Sequence, residues 1–352
     1  MSIEKSVFGK MPDGTVIDSF VLKNTSGMTA QVITYGCRIV KLMTADKSGK
    51  FGDVVLGHDT FEEYLKPNDV FGAAVGRFAN RIGGAEFEIN GRSYPLTAND
   101  GKNSLHSAPG GFQDRVWRVK CSDNNDDAPS VTFAYHSEDG ECGFPGNLDA
   151  TVTYSLSTDN ALIIEYGAKT DCETPVNLTN HTYFNISGGI RKDILSNELQ
   201  INSDYITAVG SDLIPTGKLT PVAGTAYDFN TAKTIGQDIK ADDALLKSCG
   251  GYDHNFAIKG ADGMKKAAEL YDQASGRLMM VFTDMPGIQI YTGNSFGDGN
   301  IGKGGLKHLA HHAICLETQF FPDSMHHAKF PYQNLKPGEK YKSTTIYKFA
   351  VR

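Results

Sequence analysis

The strongest constraint on this chain's fold is a series of short segments, rich in β-branched and aromatic residues, that alternate apolar with polar positions. VIDSFVLKN, TAQVITYG, VWRVKCSD, VTFAYHSED, ATVTYSLS, ALIIEYGAKT, LQINSDYITAV, RLMMVFTD, IQIYTGN and STTIYKFAV recur from end to end, with turn clusters such as STDN, QASG and DGN between them. A period of two suits a strand with one buried face, and tight turns join strands that run antiparallel. The pattern predicts an all-β chain, a large antiparallel β-sandwich or barrel rather than βαβ units. Helical patterns are few and short, with FEEYLK and DDALLKS the best candidates. The charged stretch DNNDDAPS at 123–130 lies between two strand candidates and reads as a hairpin loop, not a linker. With no internal repeat, residues 1–352 are expected to form one domain, a length that all-β architectures can reach.

A net charge of -7 and the lack of any Arg/Lys-rich run argue against a nucleic-acid partner. Cys37, Cys121, Cys142, Cys172, Cys249 and Cys315 show no CxxC spacing and are too few for a disulfide scaffold of this size, so reduced thiols are expected. The start, MSIEKSVFGKMPDG, has no apolar core of a signal peptide, and no stretch of about 18 apolar residues occurs. The expectation is a cytoplasmic protein with no membrane partner.

Two segments place polarity where strands normally bury apolar residues. In VNLTNHTYFNIS, one face carries Asn177, Thr179, His181, Tyr183 and Asn185, an unbroken polar row that is expected to line a pocket. In AICLETQFFP, Glu317 shares its face with Ala313, Cys315, Gln319 and Phe321. That mostly apolar setting disfavours ionisation and tunes a carboxylate toward general-base work. A bland alternative stands beside each: His181 as a hydrogen-bonded core histidine, and Glu317 as half of a buried ion pair.

Two further patterns carry less. GDGNIG at 297–302 matches GxGxxG, yet no clear helix follows it, so a nucleotide site is not expected. His308, His311 and His312, with His326 and His327, lack nearby Cys or Asp ligands at metal spacing and read as a surface or loop cluster. No metal or other cofactor is expected.

GRFANRIGGAEFEING (76–91), NDGKNSLHSAPGGF (99–112), VNLTNHTYFNISG (176–188), GYDHNF (251–256), PGIQIYTGN (286–294) and ICLETQFFPDS (314–324) occur in the order seen in galactose mutarotases. The chain resembles the aldose 1-epimerase family over nearly its whole length. The resemblance implies a galactose mutarotase-like supersandwich, a free aldose as substrate, Glu317 as general base and His181 as general acid. It also implies sugar contacts from Asn80, Arg81, His106, Asp253 and Gln289, with Tyr183 beside His181. Gln289 alternates with Ile288 and Ile290, consistent with a polar face. One departure stands out. Where the family commonly has His followed by two glycines, this chain has His106, Ser107, Ala108 and Pro109 before Gly110 and Gly111, which bears on sugar preference more than on the reaction. A glycoside hydrolase, a non-catalytic sugar-binding domain and a phosphorylated-hexose epimerase are the competing classes, and monomer and homodimer both remain open.

Overall fold

Tyr341–Val351 buries Tyr341, Ser343, Thr345, Tyr347 and Phe349, while Lys342, Thr344, Ile346, Lys348 and Ala350 stay partly or fully exposed. This computed structural model describes residues 1–66, 70–125, 127–189, 191–260, 262–297 and 299–352. Asp126 of the expected hairpin loop and Asp298 of GDGNIG lie outside the described residues.

Tyr341–Val351 pairs antiparallel with Ala161–Thr170 on one side and Arg277–Thr283 on the other. It is the middle strand of a nine-stranded sheet that runs Arg118–Asp123, Ser130–Ser137, Leu148–Leu156, Ala161–Thr170, Tyr341–Val351, Arg277–Thr283, Lys265–Asp272, Glu198–Ile201, Lys233–Thr234. A five-stranded antiparallel sheet follows the order Pro215–Pro221, Ser203–Val209, Asp253–Ile258, Gly287–Tyr291, Cys315–Gln319. The N-terminal strands Ser2–Lys10, Val16–Lys23, Thr29–Ile33, Ile39–Ala45 and Phe51–Asp53 form another five-stranded sheet in chain order. The expected all-β antiparallel sandwich is what the chain forms.

Inward residues of these sheets share one apolar core, which includes Phe20, Val32, Phe133, Val152, Ile164, Phe256, Ile288, Leu316 and Tyr347. Each large apolar side chain buried there contributes about 1.5–3 kcal/mol. Polar ties set the layers relative to one another. The Tyr347 hydroxyl donates to Leu316 O at 2.9 Å, and Thr318 Oγ1 and Thr345 Oγ1 lie 2.5 Å apart. Buried Arg277 donates to Thr44 O at 3.0 Å and Ser187 O at 2.9 Å, joining the nine-stranded sheet to the N-terminal one.

The hairpin expectation at 123–130 holds, with Asp123 paired to Ser130. DDALLKS becomes the helix Ala244–Cys249, where the Asp243 carboxylate accepts from the N–H groups of Leu245 and Leu246. FEEYLK makes only a 3₁₀ turn, Glu62–Leu65. LQINSDYITAV departs from expectation, because it splits into Glu198–Ile201 and Ser203–Val209, which belong to different sheets. The chain changes sheet at Asn202, whose N–H donates to Ala267 O and whose carbonyl accepts from Lys259 N. Asn202, Ser203 and Asp204 are turn-type residues at that change, and the alternation breaks just after it, where the pairing register shifts between Ser203 and Tyr205. Among the described residues, no helix is long and apolar enough to cross a membrane.

Leu316→Ala should therefore lower unfolding free energy by about 2–5 kcal/mol, and Tyr347→Phe, which removes one buried hydrogen bond, by about 1 kcal/mol. Denaturant unfolding followed by tyrosine and tryptophan fluorescence measures both.

Candidate active site

Leu316 and Thr318 face the nine-stranded sheet, where Tyr347 and Thr345 hold them. Alternation then sends Cys315, Glu317 and Gln319 to the opposite face. In the register, Gln289 pairs with both Glu317 and Asn255, and Tyr291 with both Cys315 and Asp253. Glu317, Gln289, Tyr291 and Asp253 thus stand on one side of three adjacent strands.

Thr179–His181 pairs with Ala73–Val75, and the Thr179 hydroxyl donates to Thr318 O at 2.9 Å, which sets His181 beside the Glu317 strand. His181 Nε2 lies 3.6 Å from Glu317 Oε1, both side chains being more than nine-tenths buried. His181 Nδ1 is 3.5 Å from Cys315 Sγ. The Tyr183 ring tilts against the imidazole at a centroid distance of 4.9 Å.

The facing wall comes from the Arg81–Ile82 and Ser104–Leu105 pair. Asn80, at a left-handed φ of 64°, accepts the Arg81 N–H on its own Oδ1 at 2.8 Å, a conformation asparagine tolerates well. Its N–H donates to His106 Nδ1 at 3.1 Å, and its carbonyl accepts from His106 N at 3.0 Å. Arg81 Nε donates to Asp100 Oδ2 at 2.7 Å, and its Nη2 lies 3.5 Å from Asp253 Oδ2. Ser107 also takes a left-handed φ, 52°, where the family pattern has glycine. Its hydroxyl accepts from Phe78 N at 3.0 Å and donates to Phe78 O at 3.2 Å, which holds the loop in that strained conformation. His106 therefore meets the cavity despite the altered loop, and Ala108 and Pro109 line it too.

The cavity is about 700 Å³. Asn80, Arg81, His106, His181, Tyr183, Asp253 and Glu317 all contribute to its wall. Gln289 does not; it stands one step behind, buried, with Nε2 donating to Asp253 Oδ1 at 2.7 Å. The polar row of VNLTNHTYFNIS also divides. His181 and Tyr183 reach the cavity, but Asn177 donates to Ala79 O and Phe320 O, Asn185 to Lys192 O and His312 O, and Thr179 to Thr318 O. Those three side chains satisfy backbone carbonyls where the chain leaves regular pairing, and alternation alone cannot separate that task from pocket lining. Asn99, Asn294 and Ser295 line the cavity without having been singled out. They sit in turn-type sequence that resembles every other turn, although Asn99 and Asn294 fall inside the family-like segments.

Burial, reinforced by the Asp253 carboxylate and partly offset by Arg81, pushes Glu317 well above the usual carboxyl range. Its Oε2 is buried and has no hydrogen-bond partner among the described residues. Burial, then His181 and Arg81, push His106 well below an ordinary imidazole, so its ring is neutral. Since Nδ1 accepts the Asn80 N–H, the His106 proton sits on Nε2, which makes that nitrogen a donor. For Arg81, burial works against the charge, but Asp253 and Asp100 outweigh it and raise its pKa. The site presents a basic carboxylate and an imidazole close enough to serve two oxygens of one polar ligand.

His106, His181 and Glu317 have donor atoms within 4.8 Å of one another, the one cluster of metal-ligand type among the described residues. His106 does not fit a metal. Ligation would require deprotonating Nε2 or displacing the Asn80 N–H from Nδ1. The other histidines disperse: His308 is buried and pushed by burial down to about 4, His311 Nδ1 lies 3.3 Å from Thr292 O, and His326 and His327 flank Asp323. Arg77 is structural, donating to Ser137 Oγ, Ser137 O, Glu138 O and Pro145 O. It therefore offers no phosphate grip in the cavity. Trp117 is buried and donates to Phe112 O, so it forms no exposed sugar platform.

The family profile described as Aldose 1-epimerase matches residues 18–348. The Galactose mutarotase of Homo sapiens is 40% identical over 352 residues, covering 99% of both chains. The Aldose 1-epimerase of Escherichia coli K12 is 37% identical over 341 residues, 96% of both chains. Among solved structures, an aldose epimerase homologue from C. elegans superposes with a TM-score of 0.86 at 30% identity, covering 95% of this chain and 99% of that one. Galactose 1-epimerase from Lactobacillus acidophilus gives a TM-score of 0.87 at 28% identity, covering 99% of each.

The raised Glu317 pKa has a stability consequence. Between the ordinary carboxyl range and its folded value, the unfolded chain has released a proton that the folded chain still holds, so stability falls as pH rises through that window. Glu317→Gln, which cannot ionise, should melt at a higher temperature than the wild type near pH 7, and the gain should vanish toward pH 4. Thermal melts across that range test the sign.

Proposed function

This chain belongs to the aldose 1-epimerase family and is an isomerase that interconverts the α and β anomers of aldoses, and from that premise we propose that Glu317 is its general base and His181 its general acid. The observation that carries this assignment is the 3.6 Å approach of His181 Nε2 to Glu317 Oε1 in the wall of the cavity. A pyranose changes anomer by losing the proton on O1 and gaining one on the ring oxygen O5. Glu317 takes the O1 proton on a carboxylate oxygen while the imidazolium of His181 gives its Nε2 proton to O5. The C1–O5 bond breaks, C1=O1 forms, and rotation about C1–C2 presents the other carbonyl face. The neutral imidazole then takes back the O5 proton as O5 attacks C1, and Glu317 returns its proton to O1.

The raised proton affinity of Glu317 suits this exchange, because a carboxylate at the ordinary pKa is a weak base toward a sugar hydroxyl. Neutral His106, with its proton on Nε2, supplies a hydrogen-bond donor without a competing charge. Arg81, Asp253 and Asn80 complete a set of donors and acceptors that can select hydroxyls by position. Gln289 contributes by holding Asp253. The substrates we assign are free aldohexoses such as D-galactose and D-glucose.

Each proton transfer is worth about 10² to 10⁴ in rate, so Glu317→Gln and His181→Asn should each cut kcat by at least that order with KM little changed. Polarimetry on freshly dissolved α-D-galactose and α-D-glucose reads this directly, and near-wild-type turnover in either folded variant removes that residue from the mechanism. Asp253→Asn removes the second carboxylate that raises Glu317, so the acid limb of the kcat profile should move to lower pH while KM rises.

A further inference from the structure

Cys315 is fully buried and absent from the cavity wall, so its thiol does not meet the substrate. Its Sγ nevertheless lies 3.5 Å from Nδ1 of His181, on the side of the ring opposite Glu317. Tyr347 and Thr345 grip the alternate residues of the same strand, so the backbone that carries Cys315 is held in one register with that of Glu317. Burial, then the neighbouring Glu317 and Asp253 carboxyls, push the Cys315 thiol well up, which keeps it protonated and uncharged.

Resting on the assignment of His181 as the acid, we propose that Cys315 is a positioning residue that holds the imidazole by Nδ1 and, as a weak hydrogen-bond partner, leaves the protonated ring readier to release its Nε2 proton than an oxygen partner would. Catalytic histidines are commonly backed by a carboxylate or carbonyl oxygen, which stabilises the imidazolium and raises its pKa. A neutral sulfur accepts hydrogen bonds poorly. In the imidazolium both nitrogens carry hydrogen, and Nδ1–H points at Sγ. When Nε2 gives its proton to O5, the ring remains the Nδ1–H tautomer with a free lone pair on Nε2. That is the form that must recover the O5 proton for closure on the other face. The sulfur contact favours this tautomer through the open-chain stage, and the thiol itself neither gains nor loses a proton.

Other groups around the ring also bear on its titration. Glu317 stands at Nε2, the His106 ring packs edge-on at 5.2 Å, and Tyr183 and Tyr291 lie at 4.9 and 6.3 Å. Arg81 and Asp253 sit further out. Each of these is unchanged by substitution at 315, so a shift specific to that position reports the sulfur contact.

The test compares Cys315→Ser, Cys315→Ala and His181→Asn by polarimetric kcat and KM against pH, with ¹⁵N NMR of His181 in the first two. Serine restores a partner of similar size but better acceptor strength, and it should move the upper pH limb of kcat up by about half to one pH unit, from the difference one hydrogen bond makes. Alanine removes the sulfur contact and should lower kcat roughly tenfold to a hundredfold through loss of orientation, with KM nearly unchanged. The ¹⁵N shifts should show Nδ1 protonated in the neutral ring of the wild type and the serine variant, and a tautomer mixture in the alanine variant. Unchanged kcat and pH limbs in both folded 315 variants, or a limb that moves down with serine, overturn the role of Cys315. If His181→Asn keeps its turnover, the general-acid assignment falls instead, whatever the 315 variants do.

Discussion

The position of Glu317 depends on how one strand is gripped from behind. On Cys315–Gln319, Tyr347 donates to Leu316 O and Thr345 meets Thr318 across the sheet interface, while Leu316 and Tyr347 pack into the shared core. A shift of one residue would send the acidic side chain into that core and turn Leu316 toward the cavity. The packing penalty for such a slip amounts to several buried side chains, so the apolar core enforces the placement of a charge-bearing group. The same register carries Gln289 next to Glu317 and, through it, the Asp253 carboxylate. His181 follows because Thr179 is tied to the carbonyl of Thr318.

Given that frame, the electrostatics follow a simple division. The aspartates around Arg81 are each given partners: Asp100 and Asp253 share Arg81, and Asp253 also accepts from Gln289. Glu317 has none of that support at Oε2, and burial drives its proton affinity up. His106 is kept neutral by its own burial beside two basic groups. A site that must exchange protons with weakly acidic hydroxyls gains from a carboxylate that is costly to ionise, and the protein loses some stability for it.

Much of this was legible from alternation and residue type. The strands, the antiparallel class and the helix at DDALLKS all follow from local pattern, which reports what a segment can bury. His106 lines the cavity despite Ser107, because a serine hydroxyl can satisfy the Phe78 backbone while keeping the left-handed turn. Asn177, Thr179 and Asn185 look the same in sequence as His181 and Tyr183, yet they satisfy backbone carbonyls of distant segments. Gln289 has the right alternation for the polar face but reaches only Asp253. The split of LQINSDYITAV between two sheets falls at Asn202-Ser203-Asp204, a turn-type run inside an otherwise strand-like segment, and the two partner sheets are set by contacts far along the chain.

By itself, the sequence determined which residues could alternate between core and cavity, and hence the all-β sandwich and the chemical types available for proton transfer. Those properties depend on near neighbours along the chain. Only the tertiary structure decided which polar groups converge. His106, His181, Asp253 and Glu317 come from segments far apart in sequence, and their partners, protonation and tautomers depend on distances of a few ångströms across sheets. The Cys315 thiol meets the His181 ring, and the Gln289 amide the Asp253 carboxylate, through contacts that exist only once the sheets have packed.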